Sequence, residues 1–273
     1  MLLTRCLRVC FMVLLSIAFT SCKSQNNNEN IYPDYIIDDA KIFSIQLEDS
    51  LQKMIKEIDS LTSVQICVHS SLSTPHGLSV EDFALKYARE LGIGQKYVNN
   101  GLLILYAMDQ RHLQITTGYG IEWQLPDFIL QPLTDSMAQL CKGMDFYGST
   151  LYAIDFCKKY LKNVDWNISD AEIDNIKKDP SQYLGKIIKV KGKTNPANVS
   201  VANLDISFTP QTNLNRDTVA YYGTSTFVSN KKSYQFVFTK HMEDLLFYKE
   251  KTKDIYLRVA NADPLVFQLI GIE

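Results

Sequence analysis

Between Gly101 and Asp109 the chain runs LLILYAM, with no polar residue in either of the two alternating sets. A strand turns successive side chains to opposite faces, so an unbroken apolar strand needs cover on both sides and belongs inside a sheet with helices above and below. The flanking sequence supplies those helices. Ser44 stands before Leu47, Leu51, Met54, Ile55, Ile58 and Leu61, which recur at helical spacing, and VQICVHS then reads as a strand. Ser79 and Asp82 form a capping box for a second helix, with Phe83, Ala84, Tyr87, Ala88 and Leu91 on one face and glycines at its end. After the apolar run, DQRH turns the chain into a second strand, HLQITTG. Two more helices are expected, one carrying Ile129, Leu130, Leu133, Met137 and Leu140, the other from near Tyr147 to Leu161. The fold class is α/β, a short central sheet flanked by helices.

The pattern changes after Lys162. Residues 164–182 show helical spacing at Ile168, Ala171 and Ile176, ended by Pro180, and are expected to form a linker helix. Residues 183–273 are a succession of short alternating or apolar segments parted by Asn, Gly, Pro and Lys, as in a small, mainly antiparallel barrel or sandwich. The opening DPSQYLGKIIKVKGK resembles the first strand of OB-like barrels. Lys186, Lys189, Lys191 and Lys193 are expected on the solvated face of an edge strand.

The N-terminus is a targeting segment. Arg5 and Arg8 precede an apolar run from Cys10 to Phe19, interrupted by Ser16 and too short to span a bilayer well. AFTSC then resembles the lipobox of bacterial lipoproteins, which implies cleavage after residue 21, lipidation of Cys22 and a place in the bacterial cell envelope; an ordinary signal peptide cut nearby is the other reading. Two or three acyl chains would hold the protein firmly, since each buried methylene contributes about 0.8 kcal/mol. Residues 22–33 are polar and asparagine-rich, a flexible tether. Cys67, Cys141 and Cys157 then remain as thiols; an odd number at no metal-ligand spacing points to buried free thiols, with a Cys141–Cys157 bridge as the alternative. A formal charge of −2 gives no bulk reason to expect nucleic acid.

Four segments, IIDDAKIFS, LSVEDFALKYARELGIGQKYVNNGLLIL, MDQRHLQITTGYGIE and LPD, occur in the order and spacing of the TPM-domain family, and residues 34–163 resemble it. The resemblance implies an α/β sandwich with a shallow acidic cleft where the loops meet, and in some relatives a bound calcium or other divalent cation. Asp38 matches the family's opening aspartate, with Asp39 beside it. Gly118, Tyr119, Gly120 and Glu122 match its Gly-x-Gly-x-Glu turn, and Asp127 its helix-opening aspartate. Members of the family often end in a membrane helix, which is not read here, leaving the lipid as the expected anchor.

The residues can also be weighed for themselves. Asp38, Asp39, Glu122 and Asp127 on loops at one end of a sheet would offer hard oxygen ligands to a divalent cation, calcium first. Asp127 serves equally well as helix-dipole complement, and Asp38 and Asp39 as a solvated turn. Gly118 and Gly120 suit positive φ or close backbone approach. The turn lacks the third glycine of a dinucleotide loop, and Trp123 and Pro126 intervene. The histidines His69, His76, His112 and His241 show no i, i+4 pairing of the zinc-protease kind. Two function classes stand open: a non-catalytic envelope lipoprotein whose cleft binds a divalent cation and whose β domain contacts a protein or glycan partner, and a metal-dependent phosphoester hydrolase, suggested by relatives, working through an activated water.

Overall fold

Two sheets organise the chain. The computed structural model describes residues 35–170, 172–201, 223–238, 242, 246, 252–263 and 265–273. The targeting segment, Cys22, the tether, Ala171 and His241 lie outside the described residues, as does the stretch 202–222, which includes parts of the expected β segments.

The first sheet has the order β1 (Ile36–Asp38), β2 (Gln65–Ser71), β3 (Gly101–Ala107), β4 (His112–Thr117). The first three strands run parallel and β4 returns antiparallel to β3. As the apolar run requires, β3 is covered on both faces. Leu102, Ile104 and Tyr106 join a core with helices α1 (Ile45–Thr62), α3 (Asp127–Lys142) and α4 (Phe146–Tyr160); Leu103, Leu105 and Ala107 join a second core under α2 (Val80–Leu91).

The helix ends follow local chemistry. Ser79 accepts a hydrogen bond from Asp82 N at 3.0 Å and its hydroxyl donates to Asp82 Oδ2 at 2.8 Å, while Gly92 closes α2 in the left-handed conformation with φ 66°. Ser44 occupies the capping position of α1 but its side chain makes no capping bond. Asp38 organises that approach instead: its carboxylate accepts from Ile42 N at 3.0 Å, Phe43 N at 2.9 Å and the Ser70 hydroxyl. Leu61, expected on the apolar face of α1, is 60% exposed because the buried stripe runs through Leu51, Ile55, Ile58 and Thr62 and Leu61 lies to one side of it.

The second sheet closes on itself. Its strands β6 (Ile187–Val201), β7 (Gly223–Ser229), β8 (Lys232–Phe238), β10 (Leu265–Ile272) and β9 (Lys253–Ala262) follow in that order, and β9 pairs back to β6. The result is a five-stranded, OB-like barrel in which only β8 and β10 pair in parallel. Phe227, Phe236, Phe238, Ile255, Leu257, Val259 and Leu269 fill it.

Two expectations require correction. The stretch 164–182 is not one helix: Ile168 belongs to β5 (Ile168–Asp170), which adds in parallel to β6, and α5 (Ile173–Lys178) is followed by a 3-10 turn at Pro180–Tyr183. Nor is β6 an edge. It pairs with β5, β7 and β9, and Lys189 is held by Asp254 at 2.8 Å. The lysines do alternate with buried Ile188 and Val190, but closure of the barrel removes the edge.

All of the described residues fall in one compact unit, Pro33–Glu273. Trp166 is buried in the first core and donates from Nε1 to Thr62 O at 2.7 Å. Cys67, Cys141 and Cys157 are free thiols, so the alternative bridge is not formed. No helix among the described residues is long and apolar enough to cross a membrane.

Candidate functional site

The Gly-Tyr-Gly turn follows β4 and lies against the loop that enters β3. Gly118 N donates to Gly101 O at 2.7 Å and Gly120 N to Asn99 O at 3.0 Å. A Cβ on Gly118 would stand 2.1 Å from Asn99 O, and one on Gly120 1.9 Å from Val98 O. Neither glycine is required for positive φ; both let two backbones touch. The loop is tied down by buried Asn100, whose Oδ1 accepts from Gln95 N at 2.6 Å and whose Nδ2 donates to Ser63 O at 2.6 Å.

Beyond the turn the chain dives inward. Ile121, Glu122, Trp123, Gln124 and Leu125 are all buried, and Gln124 Oε1 accepts from Lys162 N at 2.6 Å. Trp123 packs with Val237 and Val266 of the barrel, and the guanidinium carbon of Arg258 lies 3.8 Å from its ring centre. Arg258 itself is buried and donates from Nε to Gln268 Oε1 at 2.9 Å. Tyr119 packs against the barrel core, and Tyr97 stacks on Tyr256. The barrel therefore covers one side of this turn.

On its other side the turn borders a cleft of about 300 Å³, shared with the end of α2 and the loop after it. The polar side chains lining the cleft include Arg89, Lys96, Asn99, Thr117 and Tyr119, and no described carboxylate reaches it. Arg89 Nη2 approaches the Tyr119 hydroxyl at 3.5 Å. The cleft is cationic, where the resemblance implies an acidic one.

The register explains the difference. Asp38 pairs with Ser70 and Ser70 with Tyr106, near the finish of β3, whereas Thr117, just before Gly118, pairs with Leu102 at its start. Four residues of strand separate those levels, about 13 Å at a rise near 3.3 Å per residue. Asp38 and Asp39 are thus at one end of the sheet, and Gly118, Tyr119, Gly120 and buried Glu122 beyond the other. Asp39 is largely exposed and meets His69 Nε2 at 3.0 Å. Asp127 is the exposed first residue of α3, where its charge complements the helix dipole. The four carboxylates do not converge, and among the described residues no group of three or more His, Cys, Asp or Glu is placed to hold a metal ion. The set does not fit a single divalent cation.

A signal for this separation was present: a hairpin after the last of three parallel strands returns the chain to their starting end, away from the loop that follows β1. The barrel's residues at the turn, Tyr256 and Arg258, carried no such signal.

The family model described as the TPM domain matches residues 36–160. Those residues are a TPM domain. Similar solved structures include the N-terminal domain of a P. gingivalis protein, 27% identical with a TM-score of 0.43, covering 48% of this chain and 85% of that one. The N-terminal domain of a Corynebacterium glutamicum protein is 20% identical with a TM-score of 0.40, covering 52% and 88%. The BA42 protein of Bizionia argentinensis is 20% identical with a TM-score of 0.38, covering 44% and 84%. Among curated proteins none matches significantly. The turn at Gly118–Glu122, the cleft beside it and Asp38 all fall within the TPM domain.

Proposed function

We propose that this chain is a cell-envelope protein, held to a membrane by acyl chains on Cys22, whose TPM domain binds an anionic group of an envelope protein or glycan partner. The lining of the cleft beside the turn carries the reading. The two glycines are used up in backbone packing, and Arg89, Lys96, Asn99 and Thr117 supply positive charge and hydrogen-bonding capacity to the space. A divalent cation would have to be met at the Asp38–Asp39 end or at Asp127 taken singly.

The test is titration of the full chain with polyglutamate and with an acidic glycan, beside Arg89→Glu with Lys96→Glu. Binding that weakens with salt and is lost on charge reversal supports the proposal. Phosphoesters would suit the same cationic cleft, so a phosphoester panel run with and without calcium, magnesium and manganese belongs beside it; turnover there would replace binding with hydrolysis. For the anchor, Cys22→Ala should leave the protein soluble or unprocessed, and full partition of that variant with membranes would refute lipidation.

A further inference from the structure

We propose that a second groove, at the β3–β4 hairpin, binds a single-chain aliphatic carboxylate, an amphiphile with one apolar tail and one anionic head. The groove encloses about 560 Å³, within the range of sites that take small organic molecules. It sits at the opposite end of the first sheet from the Gly-Tyr-Gly turn, so it stands apart from the binding reading made for the cleft.

A small side chain makes room for it. Ala138 lies on α3 and stops at Cβ, while Met137 before it is buried and fills the core. Met108, Leu113 and Phe146 continue the apolar wall. Met144 stands at the mouth, 81% exposed on a backbone with φ 60°. A tail entering the groove would take this surface out of water.

The head is specified by charge. Arg111, in the hairpin turn with φ 50°, and Lys142, the last residue of α3, line the same groove. Neither is paired with a carboxylate among the described residues. Nearby acids are otherwise engaged: Asp145 accepts from Gly148 N at 2.8 Å as the cap of α4, and Glu81 lies 3.6 Å from His112 Nε2. Two unpaired cations beside an apolar concavity complement a carboxylate on an aliphatic chain, and disfavour a neutral or cationic amphiphile. The surface is concave, which suits a free ligand better than a lipid bilayer.

The experiment uses the full chain carrying Cys22→Ser, so that no acyl group is attached, titrated with the fluorescent polyene carboxylate cis-parinarate. A saturable rise in fluorescence is expected, reversed by laurate and not by dodecyltrimethylammonium. Ala138→Phe places a ring in the groove and should abolish the rise. Arg111→Glu with Lys142→Glu should weaken binding by about tenfold or more, as for loss of a charge-assisted hydrogen bond. If Ala138→Phe lowers the melting temperature, the charge-reversal pair, both exposed, decides alone. The proposal is overturned if the parent chain shows no saturable rise, if charge reversal leaves affinity unchanged, if dodecyltrimethylammonium competes as well as laurate, or if only anionic phosphatidylglycerol vesicles bind.

Discussion

The rings of Tyr97 and Tyr256 lie parallel, 5.0 Å apart between centroids and 6° apart in plane, one on the loop entering β3 of the TPM domain and the other on barrel strand β9. Gly271 keeps the approach open, since a Cβ there would lie 3.1 Å from Tyr97 O. Stacked aromatic pairs contribute about 0.5–1.5 kcal/mol beyond the area they bury. A double-mutant cycle with Tyr97→Leu and Tyr256→Leu, measured by urea unfolding, should return a coupling energy of about that size. Additive losses would mean that the two lobes do not meet here in solution.

Gly120→Ala drives a Cβ to 1.9 Å from Val98 O, and the obstacle is backbone, which cannot swing aside. The expected loss is about 3 kcal/mol or more, read as a fall in the denaturation midpoint. Gly143→Ala, at negative φ and with its nearest heavy atom, Leu140 O, at 3.3 Å, should cost far less than Gly120→Ala.

The core of the TPM domain extends past the sequence-based boundary at residue 163, because Trp166 is buried in it. A fragment spanning 35–167 should therefore unfold cooperatively and be more stable than 35–163 by about 3 kcal/mol, the scale for removing a buried tryptophan. Equal midpoints would show that the indole contributes nothing there.

The Glu48 carboxyl is held above its ordinary range, first by lost contact with water and then by the neighbouring negative charge of Asp38. Between its unfolded and folded pKa the native state holds more of the proton, so this group's contribution to stability falls as pH rises through that window. Glu48→Gln should raise the melting temperature at pH 7, and the gain should shrink as the pH is lowered through the ordinary carboxylate range. A gain independent of pH would point to packing instead.

Burial pushes the Cys157 thiol up to about 12; burial also raises the Cys141 thiol, but Cys141, beside the Ser149 hydroxyl, is only half-buried and open to solvent. Thiolate is the reactive form, so a maleimide at pH 7.5 should label Cys141 before Cys157 in the native protein. Mass mapping of the labelled peptides checks the order.

How legible was all this in the sequence? The layered fold was readable because β3 is apolar in both alternating sets, and Ser79 and Gly92 bracket α2 by short-range hydrogen bonding alone. The closeness of backbone at Gly118 and Gly120 was readable as one of two uses of glycine. The separation of Asp38 and Asp39 from Glu122 was readable only through strand direction, since the β3–β4 hairpin carries the turn back to the starting end of the parallel strands, and motif spacing alone says nothing about which end of a sheet a loop occupies. The cationic lining of the cleft comes from Arg89 and Lys96, which precede the turn by more than twenty residues and meet it only through the pairing of β4 with β3. The stacking of Tyr97 on Tyr256 is a contact between distant segments, for which local propensity carries no information.

In the barrel, β10 follows every other strand in chain order yet sits between β8 and β9. During synthesis the earlier strands thus emerge without their shared neighbour, and the wall cannot shut until residues 265–272 have left the ribosome. The TPM domain is made first and can assemble from neighbours near in sequence, with Trp123 and Tyr97 still bare. In that interval a finished lobe carries an uncovered aromatic flank, and transiently exposed apolar surface of this kind invites aggregation until the last strand arrives.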